Sequence, residues 1–177
     1  MKAHIEKEYK MMIDENDFNR IVEKENMELI IQENYYYDLN SSKMAMRIRN
    51  IEDLYILTIK VKDGDHQLEY EYRVDDHNID TPAIKALLKK LNIYGEPKYI
   101  GSLLTSRYKL NLAKGEIVLD LNKYLNKIDY EIEYELFDYQ TNSNQELIDF
   151  LKKYQITFIE NKKTKFQRFK EVLNEKN

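Results

Sequence analysis

Charged and apolar residues alternate one by one along most of this chain. The first segment, residues 2–12, places Glu6, Glu8 and Lys10 on one side and mostly apolar or aromatic residues on the other. Because successive side chains of an extended chain point to opposite faces, this period of two predicts a β-strand with one charged face. The same alternation predicts seven further strands, near residues 28–38, 43–50, 54–62, 67–74, 99–112, 116–124 and 128–137.

Four helical segments accompany the predicted strands. They are marked by capping residues and by apolar side chains at helical spacing, as where Thr81 and Pro82 open a segment that carries Ile84, Leu87 and Leu88. Because most strands follow one another directly, we expect the α+β class with an antiparallel sheet. The predicted helices run from about residue 14 to 25, 81 to 91, 144 to 153 and 163 to 173.

The length and composition exclude several classes of protein. The chain has 177 residues, enough for a substantial core, so we expect a single domain over residues 1–177. It has no cysteine and no stretch approaching the roughly 20 apolar residues of a membrane helix, which favours a soluble, cytoplasmic protein. The net charge of -4 argues against a general basic surface for long nucleic acids. The oligomeric state has no signal in the sequence.

The charges on these strand faces are sorted by sign. Arg47 and Arg49 share one face, whereas Glu131 and Glu133 share another. An exposed face usually mixes signs, since like charges two residues apart repel one another. A solvated sheet face remains the simpler alternative for any single strand. About eight long antiparallel strands can instead close into a barrel with the charged face inside.

The two kinds of charge suit two parts of one ligand. Clustered carboxylates without cysteine and with few histidines favour hard divalent cations such as Mg²⁺ or Mn²⁺. Clustered arginine and lysine suit phosphate oxygens, and arginine can bind them in a fork. Since Mg²⁺ commonly binds one or two carboxylates together with substrate phosphates, a barrel interior with both clusters favours a metal–polyphosphate complex.

The segment Glu6-x-Glu8-x-Lys10 resembles the ExExK signature of the CYTH superfamily, the triphosphate tunnel metalloenzymes. The later charged pairs extend the resemblance from about residue 2 to residue 170. The tyrosine-rich second strand and the DYEIEYE segment are similar to the small CYTH proteins of low-GC Gram-positive bacteria. The resemblance implies an eight-stranded antiparallel barrel, or tunnel, with helices packed outside. The matching positions are Arg47-x-Arg49, Lys60, Glu69-x-Glu71, Arg107-x-Lys109, Asp120 and Glu131-x-Glu133.

The resemblance also implies a role for each matching residue. Glu6 and Glu8 would hold a divalent metal, Mg²⁺ or Mn²⁺. Asp120, Glu131 and Glu133 would be catalytic and would hold or position a second metal and the attacking water. The phosphates would be bound by Lys10 (itself one of the catalytic residues), Arg47, Arg49, Lys60, Arg107 and Lys109 and, from the last helix, by Lys165.

Some of these assignments have open alternatives. The parity of the last strand does not distinguish the pair Glu131 and Glu133 from the pair Glu133 and Glu135. Two further alternatives are Lys163 or Arg168 in place of Lys165, and an internal ion-pair network of Glu69, Glu71 and Arg73 in place of direct ligand binding.

The function that follows is metal-dependent hydrolysis of a small triphosphate. Inorganic tripolyphosphate, thiamine triphosphate and a nucleoside triphosphate are equal candidates, because no motif indicates what surrounds the phosphates. Adenylate cyclase-type cyclisation of ATP is an alternative, although the sequence has no clear sign of an adenine and ribose pocket. A non-catalytic triphosphate- or polyphosphate-binding module, or a structural protein with a solvated sheet face, would use the same strands.

Overall fold

A computed structural model describes residues 2–5, 7–41, 43–63, 66–138, 140 and 143–176. The described residues form nine strands and four helices, so the predicted α+β class with antiparallel strand pairs is confirmed. The strands are β1 (Lys2–Ile5), β2 (Glu8–Ile13), β3 (Glu28–Asp38), β4 (Met44–Ile51), β5 (Leu54–Asp63), β6 (His66–Val74), β7 (Lys98–Asn111), β8 (Gly115–Tyr124) and β9 (Lys127–Leu136). The helices are α1 (Glu15–Lys24), α2 (Pro82–Lys90), α3 (Gln145–Lys152) and α4 (Lys165–Glu175).

The chain divides into two compact units. The first unit contains Met1–His4 and Glu33–Ser102, and the second contains Ile5–Gln32 and Leu103–Asn177. The first predicted strand is therefore two strands, with β1 beside β6 in the first unit and β2 beside β9 in the second. Alternation of side chains does not show where an extended chain changes its neighbour, so the sequence pattern missed this break.

The first unit packs α2 on the apolar face of a sheet in the order β1-β6-β5-β4-β3. Ile48 of β4 lies directly opposite Leu57 of β5, and both side chains are fully buried. They join a core with Ile84 and Leu88 of α2. Thr81 caps this helix by accepting a hydrogen bond from the Ile84 amide at 3.3 Å. The opposite sheet face, here called the basic face, carries the charged residues of β4 and β5.

The second unit packs α1 and α3 on the apolar face of a sheet in the order β7-β8-β9-β2. Leu119 of β8 lies opposite Ile132 of β9, and Ile21 of α1 and Leu147 of α3 are fully buried in the same core. The opposite face, here called the acidic face, carries the carboxylates of β8 and β9. Helix α4 is on the acidic face, since its first residues contact those carboxylates.

None of the helices in the described part of the chain is both long and apolar enough to span a membrane.

Candidate functional site

The acidic face brings together three buried carboxylates. Asp120 of β8 lies directly opposite Glu131 of β9, and Glu133 follows two residues further on the same face. Asp120 and Glu131 are 0% exposed, and Glu133 is 4% exposed. Buried carboxylates are costly to ionise unless cations pair with them. The remaining groups of the site supply those cations.

Arg107 is the first of these cations. It lies on β7 directly opposite Asp120, and its Nε and Nη2 donate to the two carboxylate oxygens at 2.9 and 2.7 Å. The Nη2 group also donates to Glu133 at 3.0 Å, and Nη1 reaches Glu135 at 3.3 Å. Burial by itself would raise the pKa of Asp120, but Arg107 and then Lys165 lower it below its ordinary value. Asp120 is therefore an anion at neutral pH.

Lys165 is the second cation, and it comes from the start of α4. Its Nζ lies 2.9 Å from Asp120, 2.9 Å from Glu131 and 2.6 Å from Glu133. A capping box fixes the start of this helix, with the Thr164 hydroxyl accepting from the Gln167 amide at 3.2 Å. Burial alone would lower the pKa of Lys165, but the three carboxylates outweigh it and raise the pKa well above its ordinary value.

Arg168 is the third cation, and sequence reasoning offered it only as an alternative to Lys165. Its two terminal nitrogens donate to Glu131 at 3.0 and 2.8 Å, and its Nε donates to Asp129 at 3.0 Å. Asp129 also accepts from Asn122 at 3.0 Å and from Tyr124 at 2.7 Å. The available signal was the spacing of Lys165 and Arg168, since residues three apart share a helix face.

Lys165 and Arg168 both lie in the first turn of α4, where the helix dipole disfavours positive charge. The dipole effect is typically below about 1 kcal/mol, whereas removing one partner of a buried ion pair costs about 3–5 kcal/mol. The contacts of Lys165 and Arg168 with the carboxylates therefore outweigh the dipole and hold this end of α4 on the acidic face. Lys163, the other alternative, is more than half exposed and pairs with Glu171 at 2.9 Å instead.

A second acidic group lies where β2 meets β9. Glu8 is directly opposite Glu135, and Lys10 is directly opposite Glu133. Among the described residues, Glu8, Glu133 and Glu135 each offer one carboxylate oxygen within 4.8 Å of the others. Like charges directly opposite each other destabilise a sheet unless a cation lies between them. Lys10 supplies part of that charge through its ion pair with Glu8.

Burial alone would lower the pKa of Lys10, but Glu8 and then Glu133 outweigh it and raise the pKa above its ordinary value. Glu133 responds in the opposite sense. Burial would raise its pKa, but Lys165, Arg107 and Lys10 hold the pKa well below its ordinary value. Glu133 is therefore ionised and is shared between both acidic groups. The alternative that pairs Glu133 with Glu135 matches the second group, whereas Glu131 belongs to the first.

The group of Glu8, Glu133 and Glu135 has the chemistry of a site for a hard divalent cation. Such ions take oxygen ligands, and these three carboxylate oxygens lie within 4.8 Å of one another. Glu6, the other predicted ligand on the first strand, lies outside the described residues.

The basic face of the first unit brings together another part of the predicted set. The Arg47 guanidinium lies 3.7 Å from Glu69, and the Lys60 ammonium lies 3.4 Å from the same carboxylate. Arg49 donates to the Asn34 side chain at 3.3 Å. Glu69 is 4% exposed and pairs here with Arg47 and Lys60, whereas the network of Glu69, Glu71 and Arg73 stays a prediction.

Lys109 lies apart from the buried carboxylates of the second unit. Its ammonium pairs with Glu116 at 2.9 Å, and both residues line an open groove of about 440 Å³ together with Asn26 and Asn111. Lys109 therefore retains access to a ligand in this groove, whereas the donors of Arg107 are engaged by carboxylates.

Comparison with known proteins identifies the family to which these residues belong. The CYTH domain family model matches residues 4–169, nearly the whole chain. The protein of Bacillus subtilis named "Putative triphosphatase YjbK" is 33% identical over 154 residues, which cover 78% of this chain and 81% of that protein. Bacillus subtilis is a low-GC Gram-positive bacterium, so the predicted resemblance to proteins of that group is confirmed.

Solved structures support the same assignment. A crystal structure described as a putative adenylate cyclase from Bacillus halodurans is 26% identical, has a TM-score of 0.80 and covers 96% of this chain and 99% of its own. A Hippeastrum protein, described as a putative adenylyl cyclase with a dominant triphosphatase activity, shares the fold at 18% identity, with a TM-score of 0.72 and coverage of 94% and 95%. The fold prediction is confirmed at the level of the fold family, as antiparallel strands with helices of the CYTH type. The chain belongs to the CYTH domain family.

Proposed function

We propose that this protein hydrolyses a small triphosphate with the help of a divalent metal ion. The observation that carries the proposal is the acidic face, where ionised Glu133 belongs to two groups. One is the group of Glu8, Glu133 and Glu135, whose carboxylate oxygens lie within 4.8 Å of one another, and the other is the buried group paired with Arg107 and Lys165. Membership of the CYTH family and similarity to a protein named as a triphosphatase support the same reaction.

Glu8, Glu133 and Glu135 are the residues that would hold the metal, and Glu6 stays a further ligand predicted from the sequence. A divalent ion there, Mg²⁺ or Mn²⁺, would neutralise phosphate charge and stabilise the leaving oxygen. A second ion at Asp120 and Glu131 stays a prediction. Both carboxylates contact the Lys165 ammonium, so that ion would have to displace it.

The cations of this chain would bind the phosphates. Lys10 lies beside the proposed metal ligands and is charged at neutral pH. In the first unit, Arg47, Arg49 and Lys60 would bind phosphate oxygens, as the family resemblance implies. Phosphoryl transfer depends mainly on positioning and charge neutralisation, so these residues would contribute by orienting the phosphates and offsetting their charge.

Glu133 would orient the attacking water rather than remove its proton early in the reaction. The pKa of Glu133 is well below its ordinary value, so this carboxylate accepts hydrogen bonds readily but takes up a proton poorly. Arg107 and Lys165 maintain Glu133 in this ionised state. The oxygen of the water would bond to the terminal phosphorus as the bond from that phosphorus to the bridging oxygen breaks. The products would be inorganic phosphate and the diphosphate part of the substrate, which keeps the bridging oxygen, and the proton lost by the water would pass to phosphate oxygens or to solvent.

ATP cyclisation is the second candidate, because a structure with a TM-score of 0.80 is described as a putative adenylate cyclase. The two reactions differ in their products. Hydrolysis of ATP gives ADP and phosphate, whereas cyclisation gives cyclic AMP and pyrophosphate.

A substrate panel tests both candidates and the binding-only alternative. Tripolyphosphate, thiamine triphosphate and ATP are each incubated with Mg²⁺ or Mn²⁺, and the products are separated by ion-exchange chromatography. We expect inorganic phosphate from at least one substrate and no cyclic AMP. Tight binding by calorimetry without turnover would replace the proposal by a binding module, and cyclic AMP with pyrophosphate would replace it by a cyclase.

A further inference from the structure

We propose that Thr58 is a further phosphate-binding residue, whose hydroxyl donates to an oxygen of the same phosphate that the Nε edge of Arg47 binds. This inference rests on the proposed function and assigns a role to a residue outside the sequence-predicted set. It starts from two buried polar atoms. Within the part of the chain that the structure describes, the Thr58 hydroxyl and the Arg47 Nε have no hydrogen-bond partner.

The two atoms belong to neighbouring side chains. Thr58 of β5 is directly opposite Arg47 of β4, and Glu71 of β6 lies directly opposite Thr58 on its other side. Lys60 is two residues along β5 and therefore on the same face. Directly opposite side chains lie about 4.5–5.5 Å apart at Cβ, which is close enough for both to contact one phosphate. Thr58 is thus at the centre of the basic face.

A threonine at this position has a cost that valine would not have. Thr58 is 1% exposed, and its neighbours along the strand, Leu57 and Ile59, are fully buried in the apolar core on the other face. A buried hydroxyl without a partner costs about 1–3 kcal/mol of desolvation, and most such groups in native proteins are paired. A ligand oxygen would provide the missing acceptor.

The Arg47 Nε supports the same ligand. A guanidinium binds phosphate in a fork through adjacent N–H groups, and an Nε without a partner leaves one such edge available. The Nη2 group lies 3.7 Å from Glu69, and Lys60 lies 3.4 Å from the same residue. Both distances exceed the roughly 2.7–3.2 Å of an ordinary hydrogen bond, so these side chains can turn toward a phosphate.

Thr58→Val tests the inference, because it removes the hydroxyl and keeps the shape. We expect its affinity for inorganic tripolyphosphate, measured by calorimetry, to be about tenfold to a hundredfold weaker than that of the wild type. We also expect the melting temperature of the variant without ligand to be equal or higher, because the unpaired hydroxyl is gone. Thr58→Ser keeps the hydroxyl and should bind nearly as tightly as the wild type.

Thr105→Val is the matched control for stability. Thr105 is also 1% exposed, but its hydroxyl donates to Asn122 at 2.8 Å, so its loss should lower the melting temperature. A Thr58→Val protein that binds tripolyphosphate like the wild type, or that loses stability as Thr105→Val does, would overturn the inference while leaving the proposed function intact. Weak binding by Thr58→Ser would also overturn it. A wild type that binds no tripolyphosphate would overturn the proposed function and this inference with it.

Discussion

Replacement of Lys165 by methionine should destabilise the protein strongly at neutral pH. The ammonium lies within 2.9 Å of three carboxylates, two of which are 0% exposed. Methionine keeps the length and removes the charge. Loss of one partner from a buried ion-pair network costs about 3–5 kcal/mol, because it leaves buried anions undercompensated. Arg107 and Arg168 still contact these carboxylates, which places the expected loss at the lower end, about 3 kcal/mol.

The pH dependence of this loss follows from the sign of the pKa shifts. The pKa values of Asp120 and Glu133 are lowered in the folded protein, so their ionised state contributes stability above the ordinary carboxyl pKa that is lost as pH falls. Without Lys165 the pKa of both carboxyl groups should rise. Protonation at low pH then removes the uncompensated negative charge that destabilises the variant. The difference in the free energy of unfolding between the wild type and Lys165→Met should therefore become smaller as pH is lowered from about 7 to about 4.

Urea unfolding at pH 7 and pH 4.5, followed by circular dichroism, measures both quantities. At about 2–4 °C per kcal/mol for a chain of this size, the variant should also melt roughly 6–12 °C below the wild type. Lys163→Met is the matched control, because its exposed pair with Glu171 should contribute less than about 1 kcal/mol. Equal stabilities of wild type and Lys165→Met at pH 7, or a difference that does not change with pH, would refute the reasoning.

Three further predictions concern other parts of the second unit. Arg168→Lys should lower kcat more than it raises KM for tripolyphosphate, because a lysine cannot donate to Glu131 and Asp129 at the same time as the guanidinium does. Steady-state kinetics that show only a raised KM would contradict this prediction. Addition of MgCl₂ to the metal-free wild type should raise its melting temperature, and this increase should be smaller in Glu8→Gln. An equal increase in the wild type and in Glu8→Gln would exclude Glu8 as a metal ligand. Burial and then the Glu25 carboxylate raise the pKa of Tyr154 to about 12, so stability should fall as pH rises from about 10 to 12, and this fall should be smaller in Tyr154→Phe.

Many of the strands can be predicted from the alternation of side chains, because burial of one sheet face requires an apolar residue at every second position. The strand predicted at residues 28–38 is β3, and those predicted near 54–62 and 116–124 differ from β5 and β8 by one residue at one end. Alternation also places Asp120 and Glu131 on one face before any pairing is known. It does not reveal which strands are neighbours. The pairing of β2 with β9 joins residues more than 100 positions apart, and only that pairing selects Glu135 beside Glu8.

The sequence also does not show which basic residues of α4 contact the buried carboxylates. Lys163, Lys165 and Arg168 are all basic residues near the start of one predicted helix, and composition does not rank them. Their roles depend on where the capping box at Thr164 starts the helix and on which carboxylates lie below it. The sequence likewise does not predict the unpaired hydroxyl of Thr58, since a threonine between two apolar residues is common in a strand.

The rate of phosphate release from tripolyphosphate at increasing Mg²⁺ concentration tests the central claim most directly. Wild type, Glu8→Gln and Glu23→Gln, an exposed carboxylate on α1, are compared under the same conditions. We expect metal-dependent release by the wild type and by Glu23→Gln. Glu8→Gln should lose about 100-fold or more of the rate while its circular dichroism spectrum is unchanged. Release that does not depend on metal, or a Glu8→Gln rate equal to that of the wild type, would contradict the assignment of the acidic face as the catalytic metal site.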